Sequence, residues 1–231
     1  MKKIILLTIL FLLLSCSQQI TLRLNENLSG EVSGRLILKP LFSSYLKDLD
    51  MLMNPAAFEA TALPGLIEEG LNFFAEQNNY QQEVRFAGGS FEVDYSLSFV
   101  NLNQFFNETE GDMALVNRLF TVTTGRVTTL NFNLNRQNLT ALRQFLPLPN
   151  PQNFSRAGYI DELARVLASP ARREAARNEI TASSFSLVVV TPRPILTVVG
   201  GTPAAANRAV FTISLIDLLY VDTPLNFSLS Y

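Results

Sequence analysis

Histidine and tryptophan are absent from the 231 residues, and cysteine occurs once, at position 16. Without histidine the chain cannot build a Ser-His-Asp or Cys-His nucleophile, an imidazole metal site or a histidine acid–base pair. A lone cysteine removes intramolecular disulfides, thiol zinc sites and paired-thiol redox chemistry. Lysine is scarce: beyond Lys2 and Lys3 only Lys39 and Lys47 remain, which leaves a Ser-Lys mechanism few candidates. Charge is sparse as well, at 16% of residues against 48% hydrophobic, a balance that suits a folded core and not a disordered tether. The formal net charge of −2 provides no general attraction for nucleic acid.

The first fifteen residues read differently from the rest. Lys2 and Lys3 precede an apolar run from Ile4 to Leu14 that only Thr8 interrupts. A membrane-spanning helix needs about 20 apolar residues, so this run is too short to span and has the form of a secretory signal. It ends on Leu13-Leu14-Ser15-Cys16. That stretch resembles the lipobox of bacterial lipoproteins, and Leu14, where a smaller residue is often preferred, makes it similar to the lipoboxes of spirochaetes. The resemblance implies cleavage after residue 15, diacylation of Cys16, and a membrane anchorage through the N-terminal lipid. Loss of Lys2 and Lys3 with the signal would take the formal charge from −2 to −4.

Hydrophobic periodicity organises the chain beyond Cys16. Ile20, Leu22 and Leu24 alternate with Thr21, Arg23 and Asn25, the period of a half-buried strand. This leaves residues 16–19 as the lipidated cysteine and a short tether, and residues 20–231 as one domain. Leu28 to Glu31 supplies a turn, Val32 to Leu38 the returning strand, and Pro40 the start of a helix through Leu41, Tyr45, Leu49 and Leu52. A second hairpin runs through Val84–Ala87, Gly88-Gly89 and Phe91–Val100, with a short helix capped by Asn101 or Asn103. A third comprises Leu119–Thr124 and Val127–Leu134, with a helix capped by Asn135 running on through Leu146. Three hairpin-plus-helix units therefore succeed one another, open to reading as duplication or as ordinary construction.

Pro64 to Phe74 begins with proline and acidic residues, as helices do. After a loop over 147–156, a longer helix is expected from Tyr159 to Glu179, with Ile160, Leu163, Val166 and Leu167 on its buried stripe and Pro170 breaking it. Phe185–Val190 and Ile195–Val199 are continuous β-branched runs that read as central strands. Gly200 to Pro203 and the alanines after it read as a loop, Ala209–Leu219 as a strand, and Leu225, Phe227, Leu229 and Tyr231 as the buried side of a last strand.

The fold class is α+β, with a mainly antiparallel sheet carrying helices over at least one face and polar Asn, Ser and Asp side chains on the other. Several constellations bear on function. Arg165, Arg172, Arg173 and Arg177 could bind lipid phosphate or polyanionic sugars, but Asp161, Glu162, Glu174 and Glu179 are interspersed and favour a solvated, mixed-charge helix. Glu68-Glu69 and Glu108, Glu110 and Asp112 are carboxylates whose spacing alone supplies no catalytic separation. Gly88-Gly89 and Gly200-Gly201 lack the residues of a phosphate loop. No catalytic, cofactor-binding or metal-binding residue is singled out, and Cys16 is the one residue assigned a modification. These observations point to a lipid-anchored protein of the cell envelope, on the periplasmic or the outer-membrane and surface side. It would bind a ligand or an envelope protein or lipid partner, or support the envelope, without catalysis. Lipid binding or transfer through an apolar groove is the alternative, and a carboxylate-dependent hydrolase a third.

Overall fold

The structure is a computed structural model that describes residues 17–38, 80–87, 90–102, 120–134 and 149–231. It is α+β, as the alternation of apolar residues implies, with two sheets that are antiparallel but for one strand pair. The first hairpin pairs β1 (Ser17–Leu24) with β2 (Gly30–Leu38), and the second pairs β3 (Tyr80–Ala87) with β4 (Ser90–Phe99). The third, β5 (Phe120–Thr123) with β6 (Thr129–Leu134), belongs to the other sheet. The three hairpins thus do not occupy equivalent places. The expected helices after Pro40, at Pro64–Phe74, after Asn103 and after Asn135 lie outside the described residues, as do residues 1–16 and the Gly88-Gly89 turn.

Strand β1 starts at Ser17, three residues earlier than the period of apolar side chains suggests. The difference is physical: Ser17, Gln18 and Gln19 carry no apolar signal, yet their backbones pair in parallel with Ser184, Phe185 and Ser186 of β7 (Ser184–Val190). On its other side β7 pairs with β10 (Arg208–Ser214), and β10 with the edge strand β9 (Thr202–Ala205). The large sheet has the order β3-β4-β2-β1-β7-β10-β9. In the smaller sheet, β11 (Leu225–Ser230) lies between β6 and β8 (Thr197–Val199).

Alternation then decides what faces what. Ile20, Leu22 and Leu24 share a face with Leu187, Val189, Ala209, Phe211 and Phe99. There Leu22, Leu24, Val189, Phe211 and Phe99 pack against Leu130, Leu229 and Tyr231 of the smaller sheet. At the other end of the same face, Ile213 meets Leu134 together with Leu218 and Val221. The inner face is therefore shared between a second sheet and a helix, where the sequence pattern predicts helices alone. The opposite face is polar: Gln19, Arg23, Arg35, Ser98 and Thr212 are exposed. Val188, however, is buried on it.

Four local expectations are corrected. The stretch Ala209–Leu219 is not one strand, because β10 stops at Ser214 and α3 (Leu215–Tyr220) takes over. Ser214 caps that helix by accepting from the Asp217 N–H at 3.1 Å while its hydroxyl donates to the Asp217 carboxylate at 2.6 Å, so a local cap overrides the apolar run. Ile195–Val199 yields only the short edge strand β8, with Leu196 and Val199 exposed, because this β-branched run pairs on one side alone. Gly200-Gly201 is a crossing between sheets: Gly200 has φ of +73°, and a Cβ there would lie 2.7 Å from the Asn226 carbonyl. Thr202–Ala205 beyond it is a strand, and Pro203, which has no N–H to donate, is accommodated at the sheet edge.

The helical stretch is broken at Pro170, as expected, into α1 (Arg156–Leu167), a 3-10 turn (Pro170–Arg172) and α2 (Arg173–Ala182). Ser155 caps α1 by accepting from the Gly158 N–H. Its buried stripe is Tyr159, Leu163, Ala164 and Leu167; Ile160 and Val166 are only part-buried. The stripe is rotated because the Tyr159 ring is drawn in between Phe154 and Tyr220, at centroid distances of 6.4 and 5.7 Å.

Because β1 is paired on both sides, the amides of Thr21 to Leu24 should exchange as slowly as those of β7 in hydrogen-exchange mass spectrometry; rapid exchange through that segment would contradict the pairing. Leu229→Ala, removing a fully buried side chain between the sheets, should lower unfolding stability by about 2–5 kcal/mol in a denaturant titration.

Candidate functional site

The register of the large sheet places Ser17, Ser184 and Ser214 in one row. This row is also where the helices attach. Helix α2 enters β7 through Ser183, whose carbonyl accepts from the Leu215 N–H at 2.8 Å, and α3 leaves directly from Ser214. Helix α1 is tied to α3 by Arg156–Asp217 at 2.5 Å and by the Tyr220 hydroxyl, which donates to the Phe154 carbonyl at 2.9 Å. The start of α1, the end of α2 and the start of α3 therefore meet at the row that Ser17 shares with Ser184 and Ser214.

All four arginines singled out in the sequence fall on α1, α2 and the turn between them. Arg165 forms a two-pronged pair with Glu162, Nε to Oε2 at 2.7 Å and Nη2 to Oε1 at 2.5 Å. This hydrogen bonding holds the Glu162 carboxyl below its usual range, with a smaller contribution from the charge of Arg173, and raises Arg165 in turn. Arg177 pairs with Asp161 at 2.7 Å across the two helices. Arg172 and Arg173 are exposed and have no ion-pair partner among the described residues. The fold thus carries the four arginines on one helix pair and its turn and uses two of them as internal ties.

Two further clusters are not legible in the sequence. On the polar face, Arg35 grips Asp94 through Nε–Oδ1 at 2.7 Å and Nη2–Oδ2 at 3.0 Å, beside a Ser96 hydroxyl that donates to Glu31. Arg35 and Asp94 line, with Gln19, Thr21 and Ser33, an open depression of about 510 Å³. The individual strands show a polar side, but only the β2–β4 register sets Arg35 opposite Asp94. The depression is open and lies on the outer face, and Gly34 and Tyr95 complete its lining. At the far end of the strands, Arg193 lies 5.6 Å from the Tyr231 ring centroid and 3.3 Å from Glu26. Among the described residues no three of His, Cys, Asp and Glu group together, and no helix is long and apolar enough to cross a membrane. The carboxylates Glu68, Glu69, Glu108, Glu110 and Asp112 lie outside the described residues, as does Cys16.

No family model and no curated protein matches this chain. Among solved structures, the chain is similar to the NMR structure of the folded domain of LppM from Mycobacterium tuberculosis, with a TM-score of 0.45 and 8% identity over 94% of this chain and 88% of that one. A likeness at that level says nothing about function.

Burial pushes the Tyr231 phenol above the ordinary tyrosine range, with Thr128 and Arg193 opposing the shift. The folded state therefore favours the neutral phenol. Its contribution to stability is complete below the ordinary tyrosine range, near pH 10, and is lost as pH rises through the folded value. In an ultraviolet titration of the folded protein, Tyr231→Phe should remove a late-titrating tyrosine; an unchanged high-pH limb would contradict this assignment.

Proposed function

We propose that this chain is a cell-envelope lipoprotein, anchored in a membrane by acylation of Cys16, whose domain serves as a non-enzymatic binding or structural module held against that membrane. The observation that carries the reading is the start of β1 at Ser17, immediately after the lipobox cysteine. Cys16 would therefore join its lipid to the first residue of a strand, with no tether between. The short linker expected over residues 16–19, about 10 Å of reach, shrinks to a single peptide bond. A domain so held works on partners in or near its own membrane, a protein or a lipid of the envelope, on either the periplasmic or the surface side. The absence of histidine in the whole chain removes the commonest hydrolytic mechanisms and favours binding over catalysis.

Cys16→Ala tests the anchor. In detergent phase separation the wild type should enter the detergent phase with a diacylated Cys16 peptide in its mass spectrum. The variant should stay in the aqueous phase with an unaltered thermal midpoint, since the lipid lies outside the core. A variant that partitions like the wild type would overturn the reading.

A further inference from the structure

We infer that the outward face of the smaller sheet, an uncharged array of hydroxyl and amide side chains, binds a neutral glycan strand. The inference adds a site and a ligand class to the binding role proposed above and does not depend on acylation of Cys16.

Alternation builds the array. On β6 and β11 the residues Leu130, Leu134 and Leu229 turn inward to the core, so those between them turn outward. Register then aligns the outward residues across β5, β6, β11 and β8. One row is Thr123, Thr129, Ser230 and Thr197. The next is Thr121, Asn131, Ser228 and Val199. A third holds Asn133 and Asn226, where the Asn133 Nδ2 donates to the Asn226 Oδ1. Thr129 and Ser230 are likewise hydrogen-bonded through their hydroxyls, at 3.1 Å. Thr121, Thr123, Asn133, Asn226 and Thr197 are exposed. No residue in the three rows carries charge, whereas the outer face of the large sheet presents Arg23 and Arg35 to solvent.

Chemistry and size select the occupant. A serine or threonine hydroxyl both donates and accepts, and an asparagine amide does so through adjacent atoms, so the array matches a ligand made of repeated hydroxyls. An ionic ligand would give up water here and meet no opposite charge. A protein partner fails on area. With strands about 4.8 Å apart and successive outward residues about 6.8 Å apart, the rows cover roughly 200 Å², against about 800 Å² that a stable interface takes from each partner. The rows also offer no aromatic or arginine anchor. Short side chains have little rotamer freedom to lose, and the Asn133–Asn226 and Thr129–Ser230 bonds hold four of them in place beforehand.

The test presents the full-length protein, in detergent, to an array of neutral oligosaccharides (glucans, mannans and N-acetylglucosamine polymers) beside uronic-acid and sulfated ones. Neutral glycans should bind, and binding should persist at about 0.5 M salt, where exposed charge contacts are screened. Asn131→Asp, which puts a charge at the centre of the array without changing its shape, should weaken binding about tenfold with the domain still folded by circular dichroism. Thr121→Asp, on the edge strand, should act in the same direction and decides the matter if the first variant does not fold. Thr212→Asp, on the outer face of the other sheet, should leave binding unchanged. Binding of acidic glycans alone, binding of no neutral glycan, or an equal loss in Thr212→Asp overturns the inference. So does a concentration-dependent dimer that Asn131→Asp dissociates, since the face would then be taken by a second copy. Detergent phase partitioning of Cys16→Ala reads the anchor separately, so either proposal can fail without the other.

Discussion

The parallel ladder between β1 and β7 is the contact through which the large sheet becomes one object. It runs from Ser17 opposite Ser184 to Arg23 opposite Val190 and joins strands from opposite ends of the chain. On one side of it lie the two N-terminal hairpins, on the other the C-terminal strands β10 and β9. Val188 and Val189, adjacent on β7, are both buried although they point to opposite faces, so the sheet is covered on both sides at this seam. Because the ladder extends to Ser17, it also fixes where the first residues of β1 meet the C-terminal part of the sheet. The helices at that end, and the open depression a few residues along, take their positions from it.

Electrostatics plays a positioning part within this frame. The pairs Arg165–Glu162, Arg177–Asp161, Arg156–Asp217 and Arg35–Asp94 each have at least one substantially exposed member, so solvent screening leaves each contributing little to stability. Their value is geometric. Arg177–Asp161 ties α2 to α1, and Arg156–Asp217 ties α1 to α3, so two ion pairs link three helices.

Legibility in the sequence tracks the physics of the signal. Strands with one wet face, such as β4 and β6, announce themselves by alternation, and their hairpins can be located to within a few residues. Position within a sheet is a different matter: Phe185–Val190 and Ile195–Val199 look alike, yet one is central and the other an edge, since the partners that decide this are remote in the chain. A polar strand start at Ser17 has no periodicity to read, and the cap at Ser214 is a three-residue signal within an apolar run. The four arginines stand out because they are close in sequence, whereas Arg35 and Asp94 meet only through sheet register.

The pairing of the first strand with a late one also sets an order of events during synthesis. A chain is made from its N-terminus, at roughly 5–20 residues per second, so β1 waits on the order of ten to thirty seconds before β7 exists. Its hairpin partner β2 covers one edge within moments; the other edge is a bare row of amide and carbonyl groups, open to any extended strand in reach. The nascent domain is therefore most exposed to mispairing along the side of β1 that later becomes its centre, and a chaperone that shields extended segments would be of use at that stage and superfluous after it.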